Sequence, residues 1–251
     1  GALMAISLAS LRQTTTLTPP RILIHGVAGV GKTTFAAKSD RPVIVATEEG
    51  LGTLDVPHFP LARSFDEVME PLYALYNEPH EFGTVVIDSV DWLEPLIWKR
   101  VCDDNKWASI EEPGYGKGYV AALDLWREYL DGLNALRNER GMTVIQIAHT
   151  DIKRFDSPVH EPYDRYVIKL HARAAALLQE HSDVVLFANY RVSTVKSDVG
   201  FNKKVTRALG SGARVMHTEE RPAFLAKNRY GLPDTLPLSW AEFMAAMPQS
   251  E

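Results

Sequence analysis

The segment Gly26-Val27-Ala28-Gly29-Val30-Gly31-Lys32-Thr33-Thr34 constrains this chain more than any other. It follows the apolar run Ile22-Leu23-Ile24 and leads into a helical pattern through Phe35 to Lys38. Glycines so spaced let successive backbone N–H groups turn inward, and the new helix adds its positive end, so the segment reads as a phosphate cradle between a strand and a helix. Lys32 supplies a point charge for β- and γ-phosphates, and the Thr33 hydroxyl can enter a Mg²⁺ shell. All nine residues from Gly26 to Thr34 are therefore expected to bind nucleotide, with ATP and Mg²⁺ as cofactors. A chance glycine-rich turn with a surface lysine would not explain the strand before it and the helix after it.

Short β-rich runs recur at Arg21 to His25, Pro42 to Ala46, Thr84 to Asp88, Thr143 to Ala148 and Asp183 to Ala188. They alternate with amphipathic stretches, the clearest from Tyr119 to Arg140, with Leu123, Trp126, Leu130 and Leu133 on one stripe and Gly141 as its stop. Such alternation predicts an α/β fold, a mostly parallel sheet with helices on both faces that binds ligands beyond the carboxyl ends of its strands. After Ala188 the pattern changes to β-prone pieces punctuated by Gly200, Gly210 and Gly212, which predicts appended hairpins, and a last helix is expected over Trp240 to Met247. The expected division is a lead-in over 1–20, in which Gly1-Ala2-Leu3 before Met4 reads as an expression scar, a core over 21–190, and a C-terminal β extension with its helix over 191–251 in the same domain.

At 251 residues the chain can bury one substantial core, and 45% hydrophobic with 24% charged residues excludes a largely disordered chain. The single cysteine, Cys102, excludes an internal disulfide and fits a reducing compartment. Neither a long apolar span nor a basic-then-apolar leader is present, so a cytoplasmic protein without a membrane partner is expected. The net charge of −5 hides an asymmetry: Asn189 to Tyr230 carries nine Lys or Arg against three acids. That stretch reads either as a solvated face or as a surface for a polyanion.

Asp88, at the end of Thr84-Val85-Val86-Ile87, is placed to hold Mg²⁺ opposite Thr33. Asp91 and Glu94 read as ordinary acids of a first helical turn. Attack on a phosphoanhydride needs a group that orients or deprotonates water, and the run Val43 to Ala46 leads to Glu48 and Glu49. Glu49 is favoured because Gly50 allows the backbone to turn directly after it. At the end of Thr143 to Ala148, His149 can sense the γ-phosphate, with Gln146 a weaker candidate. The expected catalytic set is Lys32, Glu49, Glu48 and His149.

In this order, the P-loop, the strand followed by a glutamate, the strand ending Asp88-Ser89 and the strand ending in a polar sensor resemble RecA-type recombinase cores. More narrowly, with Gly114-Tyr115-Gly116-Lys117-Gly118-Tyr119 and Phe224 to Pro233 added, the chain resembles phage RecA-like nucleotide-binding proteins, among them single-strand annealing ATPases. The resemblance implies a RecA-like P-loop NTPase core, DNA-stimulated ATP hydrolysis, single-stranded DNA as partner, assembly into a ring or filament, and a role in recombination or repair, together with a single-strand-binding protein. Two DNA-facing loops fall by position at Asn105 to Gly118 and Asp151 to Tyr166. The first offers Lys106, Trp107, Tyr115 and Lys117; the second offers Lys153, Arg154, Phe155, Tyr163, Arg165 and Tyr166. Basic groups pair phosphates while aromatic faces stack bases, which binds single strands without reading sequence. Lys169, Lys227 and Arg229 are candidates for a basic residue acting across a subunit interface. Bacterial recombinases carry a long N-terminal polymerisation segment and a separate C-terminal DNA-binding domain that this sequence does not match, so annealing or loading with a partner, rather than strand exchange alone, is expected. Two other functions share the P-loop: an ATP-dependent switch or helicase-loader-type module, and a small-molecule kinase, for which no arginine-rich lid is evident.

Overall fold

A computed structural model describes residues 6–14, 16–198 and 204–249. In chain order the elements are β1 (Arg21–Gly26), α1 (Lys32–Ala37), β2 (Pro42–Ala46), α2 (Phe65–Asn77), β3 (Thr84–Asp88), α3 (Val90–Asn105), α4 (Lys117–Arg140), β4 (Thr143–Phe155), β5 (Tyr163–Ile168), α5 (Ala172–His181), β6 (Val184–Asp198), β7 (Lys204–His217), β8 (Lys227–Asn228), β9 (Thr235–Pro237) and α6 (Trp240–Ala246). The sheet runs β2-β3-β4-β1-β6-β7-β9. The first five of these are parallel, whereas β7 and β9 add antiparallel strands at one edge. This is the expected α/β arrangement, a mostly parallel sheet between helices, with C-terminal β elements appended.

Strand alternation divides the core into two layers. Leu23, Val43, Val45, Val85, Ile87, Val144 and Val185 face α2 to α5, where Trp126, Tyr129, Leu130, Leu133 and Leu136 of α4 are buried. Ile22, Ile24, Ile44, Val86, Ile145, Ile147 and Leu186 face the opposite way, onto Phe35 of α1 and Phe243 of α6. Helix α4 stops at Gly141, which takes the left-handed conformation at φ 66°. No helix among the described residues is long and apolar enough to cross a membrane.

Three sequence expectations are corrected. The segment from Asp151 to Tyr166 is not a loop: β4 runs on to Phe155 and pairs antiparallel with β5, so the region is a β-hairpin. The strand read as ending at Ala188 continues to Asp198, across the boundary expected near residue 190. The basic C-terminal stretch does not form one face among the described residues. Arg214 lies beside the P-loop, Arg221 pairs with Glu219 at 3.1 Å, and Lys227 and Arg229 lie at the other edge of the sheet. Lys203 and residues 1–5 lie outside the described residues, as do the side chains of Lys196, Lys204 and Arg207.

The amino edge of the sheet is held by an ion cluster. Asp183 accepts from Arg21 at 3.0 Å and from Arg229 at 3.0 Å, with Arg137 at 3.6 Å. Burial opposes ionisation of Asp183, but its hydrogen bonds and charge contacts with the arginines outweigh it and hold the carboxyl below its ordinary range.

Residues 106–116 are pinned at their far end. A Cβ on Gly118, in the first turn of α4, would lie 1.8 Å from the carbonyl oxygen of Ile110. Helix propensity alone favours Ala over Gly by about 1 kcal/mol. Gly118→Ala is nevertheless expected to destabilise the protein by about 2 kcal/mol or more in urea unfolding, because the loop carbonyl must move. Unchanged or increased stability would show that the loop yields freely.

Candidate nucleotide site and nucleic-acid face

Parallel register brings the strand ends together. Gly26 sits opposite His149 of β4 on one side and Ala188 of β6 on the other, and Asp88 of β3 sits opposite Ile147. A Cβ on Gly26 would lie 2.6 Å from the Ala188 carbonyl oxygen, so the loop can leave the sheet here only as glycine. Gly29 at φ 79° and Gly31 at φ 116° make the turns that follow. The Lys32 side chain folds back over the loop, its Nζ donating to the carbonyl oxygens of Gly26 at 2.8 Å and Val27 at 2.9 Å. Burial lowers the Lys32 pKa, while the negative charges of Asp88, Asp91 and Glu48 oppose that shift.

The Thr33 hydroxyl donates to Asp88 Oδ2 at 2.9 Å. Burial raises the Asp88 pKa, against the Thr33 hydrogen bond and the nearby His149 and Lys32. A hydroxyl and a carboxylate side by side, backed by a lysine, form the hard-oxygen donor set that suits Mg²⁺. The residues present thus fit the ion that the P-loop implies.

A second cluster completes the cleft. One ligand-type atom from each of Glu48, Asp91 and His149 lies within 4.8 Å of the others. Asp91, in the first turn of α3, accepts from the His149 backbone N–H at 2.9 Å and bonds its Nδ1 at 2.8 Å. This double contact fixes the imidazole at the strand end and leaves Nε2 as its remaining ring nitrogen for the cleft. Burial works against ionisation of Asp91, yet the two bonds from His149 outweigh it and lower its pKa. The bond to Asp91 raises the His149 pKa against the effect of burial. Glu48 is pushed up to about 7, first by burial and further by Asp88 and Asp91, with His149 and Lys32 opposing. The cleft, ≈ 340 Å³, is lined by the P-loop together with Glu48, Asp88, His149 and Arg214. Its size falls in the range of small-molecule sites, roughly 300–1,000 Å³.

Several readings change here. Glu48, half-buried, lines the cleft, whereas Glu49 is exposed and is not among the lining residues, so the geometric preference moves from Glu49 to Glu48. Gly50 does make a turn, at φ 141°, but it follows an acid that faces outward. Asp91 is not a solvated first-turn acid; its spacing of three from Asp88 folds it back over the strand end. Glu94 is buried as well and accepts from the His171 backbone N–H at 3.1 Å. Gln146 points away from the cleft, its Oε1 accepting from the Tyr129 hydroxyl at 2.7 Å in the helix-covered layer. Arg214, on β7, reaches the P-loop from far along the chain, and no local pattern marks it.

The residues expected to face DNA are partly brought together. Lys106, Tyr115 and Lys117 are exposed, Tyr115 fully. Trp107 instead is half-buried and packs against the main core. On the hairpin, Lys153, Arg154 and Phe155 are exposed. Phe155 stacks on Tyr163 at 5.9 Å with the Arg165 guanidinium 5.8 Å from its ring, and Arg165 also pairs with Glu220. Tyr166 is committed to Phe187, at 5.2 Å between rings. Among the residues considered for a role in trans, Lys169 is exposed just after β5; Lys227 donates to the Gln179 carbonyl at 2.7 Å and Arg229 pairs with Asp183.

A family model described as an AAA domain matches residues 18–230. The chain belongs to this AAA domain family. Among solved structures, the AAA domain is similar to the crystal structure of the RadB recombinase, with 18% identity over 83% of this chain and 86% of that one and a TM-score of 0.45. No curated protein matches it in sequence. The family match, with the P-loop from Gly26 to Thr34, makes this a P-loop ATPase domain, of a family that generally binds ATP with Mg²⁺.

The raised Glu48 pKa carries a sign. Between about pH 4.5 and 7 the folded protein binds a proton at Glu48 that the unfolded chain has released, so this contribution to stability is complete below 4.5 and is lost as pH rises to 7. Glu48→Gln, which stays neutral, is expected to raise the melting temperature of the nucleotide-free protein relative to the parent at pH 8, with the difference disappearing towards pH 4.5. A difference independent of pH would remove the buried-carboxyl interpretation.

Proposed function

We propose that this AAA domain hydrolyses ATP and binds single-stranded DNA, supporting annealing or recombination, as the resemblance to phage RecA-like proteins suggests. The observation that carries the reading is a single strand, β4. It presents His149 to the P-loop cleft and continues without a break into the hairpin that bears Lys153, Arg154 and Phe155. Occupancy of one end can thus bear on the other.

In this reading the P-loop N–H groups and Lys32 take the phosphates, Lys32 exchanging its two carbonyl contacts for phosphate oxygens. Thr33 and Asp88 would hold Mg²⁺, which when bound offsets phosphate charge. Glu48 orients the attacking water and accepts its proton, and a carboxyl tuned to about 7 is matched to that task at neutral pH. His149, locked by Asp91, faces the same water or the terminal phosphate.

Assembly follows from polarity. The cleft lies at the carboxyl edge of the sheet, while Lys227 and Arg229 lie with Asp183 at the amino edge. A head-to-tail contact joins unlike edges of neighbouring copies and yields rings or filaments. Lys227, Arg229 and Lys169 are the cations proposed to reach a neighbour's phosphates, and a single-strand-binding protein is the proposed further partner in a cytoplasmic, host-cell setting.

The test is ATP turnover with and without single-stranded DNA across a salt series. DNA is expected to stimulate the parent, with salt suppressing the stimulation as phosphate contacts are screened. Lys32→Ala should abolish turnover, and Glu48→Gln should lower it about 100-fold or more while nucleotide binding persists. Turnover indifferent to DNA, with no binding at low salt, would remove the nucleic-acid part and favour a switch; transfer to a small-molecule acceptor would favour a kinase.

A further inference from the structure

Helix α3 carries two acids one turn apart, and each accepts a backbone N–H from elsewhere in the chain: Asp91 that of His149 at 2.9 Å, Glu94 that of His171 at 3.1 Å. His171 lies in the turn between β5 and α5. That turn reaches the cleft a second time, because the Lys169 N–H donates to the His149 carbonyl oxygen at 3.0 Å. Residues 169–171 are thus tied to His149 at one end and to α3 at the other. Glu94 is buried, and burial pushes its carboxyl up to about 7, but either protonation state offers an oxygen to the His171 N–H.

From the turn the contacts continue through rings. The His171 ring stacks on Tyr119 with 4.0 Å between centroids and 8° between planes, and Tyr119, in the first turn of α4, donates its hydroxyl to Glu111 at 2.9 Å. Trp98 of α3 meets Tyr119 edge-on at 5.5 Å. Glu111 belongs to the segment 106–116, which takes left-handed backbone on residues other than glycine near both ends, Lys106 at φ 59° and Tyr115 at φ 52°. Such residues disfavour that region, so the course of the segment depends on the contacts that hold it. Two of these come from the start of α4: the Tyr119 hydroxyl on Glu111 and the close fit of Gly118 against the Ile110 carbonyl.

We propose that residues 106–116 respond to nucleotide in the P-loop cleft, a shift of His149 passing through the 169–171 turn, held by Glu94, to the His171–Tyr119 stack and Glu111. Glu94 is then a positioning residue: it is not among the residues lining the cleft and acts on the segment through His171. The proposal rests on the P-loop reading above and is independent of whether the segment meets DNA. A ligand shifts such a segment only through contacts that differ between its states, and the group His149 faces in that reading is the terminal phosphate, so a triphosphate acts where a diphosphate does not.

Backbone hydrogen exchange on the full chain, with Mg²⁺ and either a non-hydrolysable ATP analogue or ADP, tests this by following residues 26–37 and 106–116 together. In the parent the analogue is expected to slow exchange in both segments, by about threefold or more in 106–116, while ADP slows only the first. His171→Ala removes the stack and keeps the backbone N–H; it should abolish the response of 106–116 and leave that of 26–37. Glu94→Ala should do the same, and Glu94→Gln, which keeps an oxygen for the N–H, should restore the response. Local loosening would instead raise exchange with and without nucleotide alike, leaving the nucleotide-induced change in place. Should Glu94→Ala fail to fold, His171→Ala, at a half-buried position, decides the matter. A response of 106–116 that survives in His171→Ala, an equal effect of ADP, or no response of 106–116 in a parent whose P-loop is protected would each overturn the proposal. A parent in which neither segment is protected would refute the P-loop reading itself, and the proposal with it.

Discussion

The absence of a side chain at Gly26 governs the geometry of the cleft. Strands β1 and β6 approach so closely at their carboxyl ends that a methyl group at residue 26 would meet the Ala188 carbonyl oxygen at 2.6 Å. Because the strand ends are in register, the P-loop starts level with His149 and beside the end of β3, where Asp88 stands. The phosphate cradle, the carboxylate and the imidazole are thereby brought within reach of one another by backbone pairing, before any side chain chooses a rotamer. Side chains then refine what the sheet has placed: Thr33 bonds Asp88, and Asp91 bonds His149 twice.

Charge balance explains the unusual protonation of the cleft. Three carboxyl groups, Glu48, Asp88 and Asp91, share a half-buried space with the cations Lys32 and, when protonated, His149. Asp91 is satisfied by hydrogen bonds and ionises; Glu48 has no such bonds among the described contacts, so it is the group that burial pushes up to about 7. Two carboxyls of one cleft are thus pushed apart, Asp91 down and Glu48 up, through environment alone. A divalent cation beside Asp88 would add positive charge and favour ionised Glu48, which links the protonation of that carboxyl to the loading of the site.

Much of this was legible in sequence wherever the signal was contiguous. The P-loop and Asp88 stand in short runs whose strand context the chain itself supplies. Glu48 and Glu49 are neighbours in sequence, and which one turns inward depends on the phase of the backbone after Ala46, about which residue types are silent. Asp91 escaped because an acid in a first helical turn has a bland explanation; the i, i+3 relation to Asp88 was the available hint. The β4–β5 hairpin is hard to see in sequence because the end of β4, Asp151 to Phe155, is exposed throughout, so no alternation of apolar and polar positions marks that strand. Arg214 could not be found locally, since β7 carries it to the P-loop across the sheet.

The Phe224 to Pro233 segment, distinctive in sequence but silent about purpose, gains a physical role from its contacts. Its Leu225 carbonyl bonds Nε2 of His25, the residue just before Gly26, at 2.8 Å, while Nδ1 of the same ring meets the Thr150 hydroxyl, just after His149, at 2.9 Å. Burial pushes His25 down to about 4, so the ring is neutral at ordinary pH and uses one nitrogen as donor and one as acceptor: Nε2 donates to the carbonyl, and Nδ1 accepts from the hydroxyl. Phe224 stacks on Phe187 at 5.1 Å and Asn228 accepts from the N–H groups of Tyr230 and Leu232, which shapes the turn that carries Arg229. One segment therefore braces the P-loop strand and the start of the β4 hairpin, and also sets Lys227 and Arg229 at the opposite edge of the sheet. In the proposed head-to-tail assembly that bracing makes the cations presented to a neighbour part of the same rigid body as the cleft they leave behind, so a shift at one subunit's phosphate site is passed on as a movement of the whole sheet.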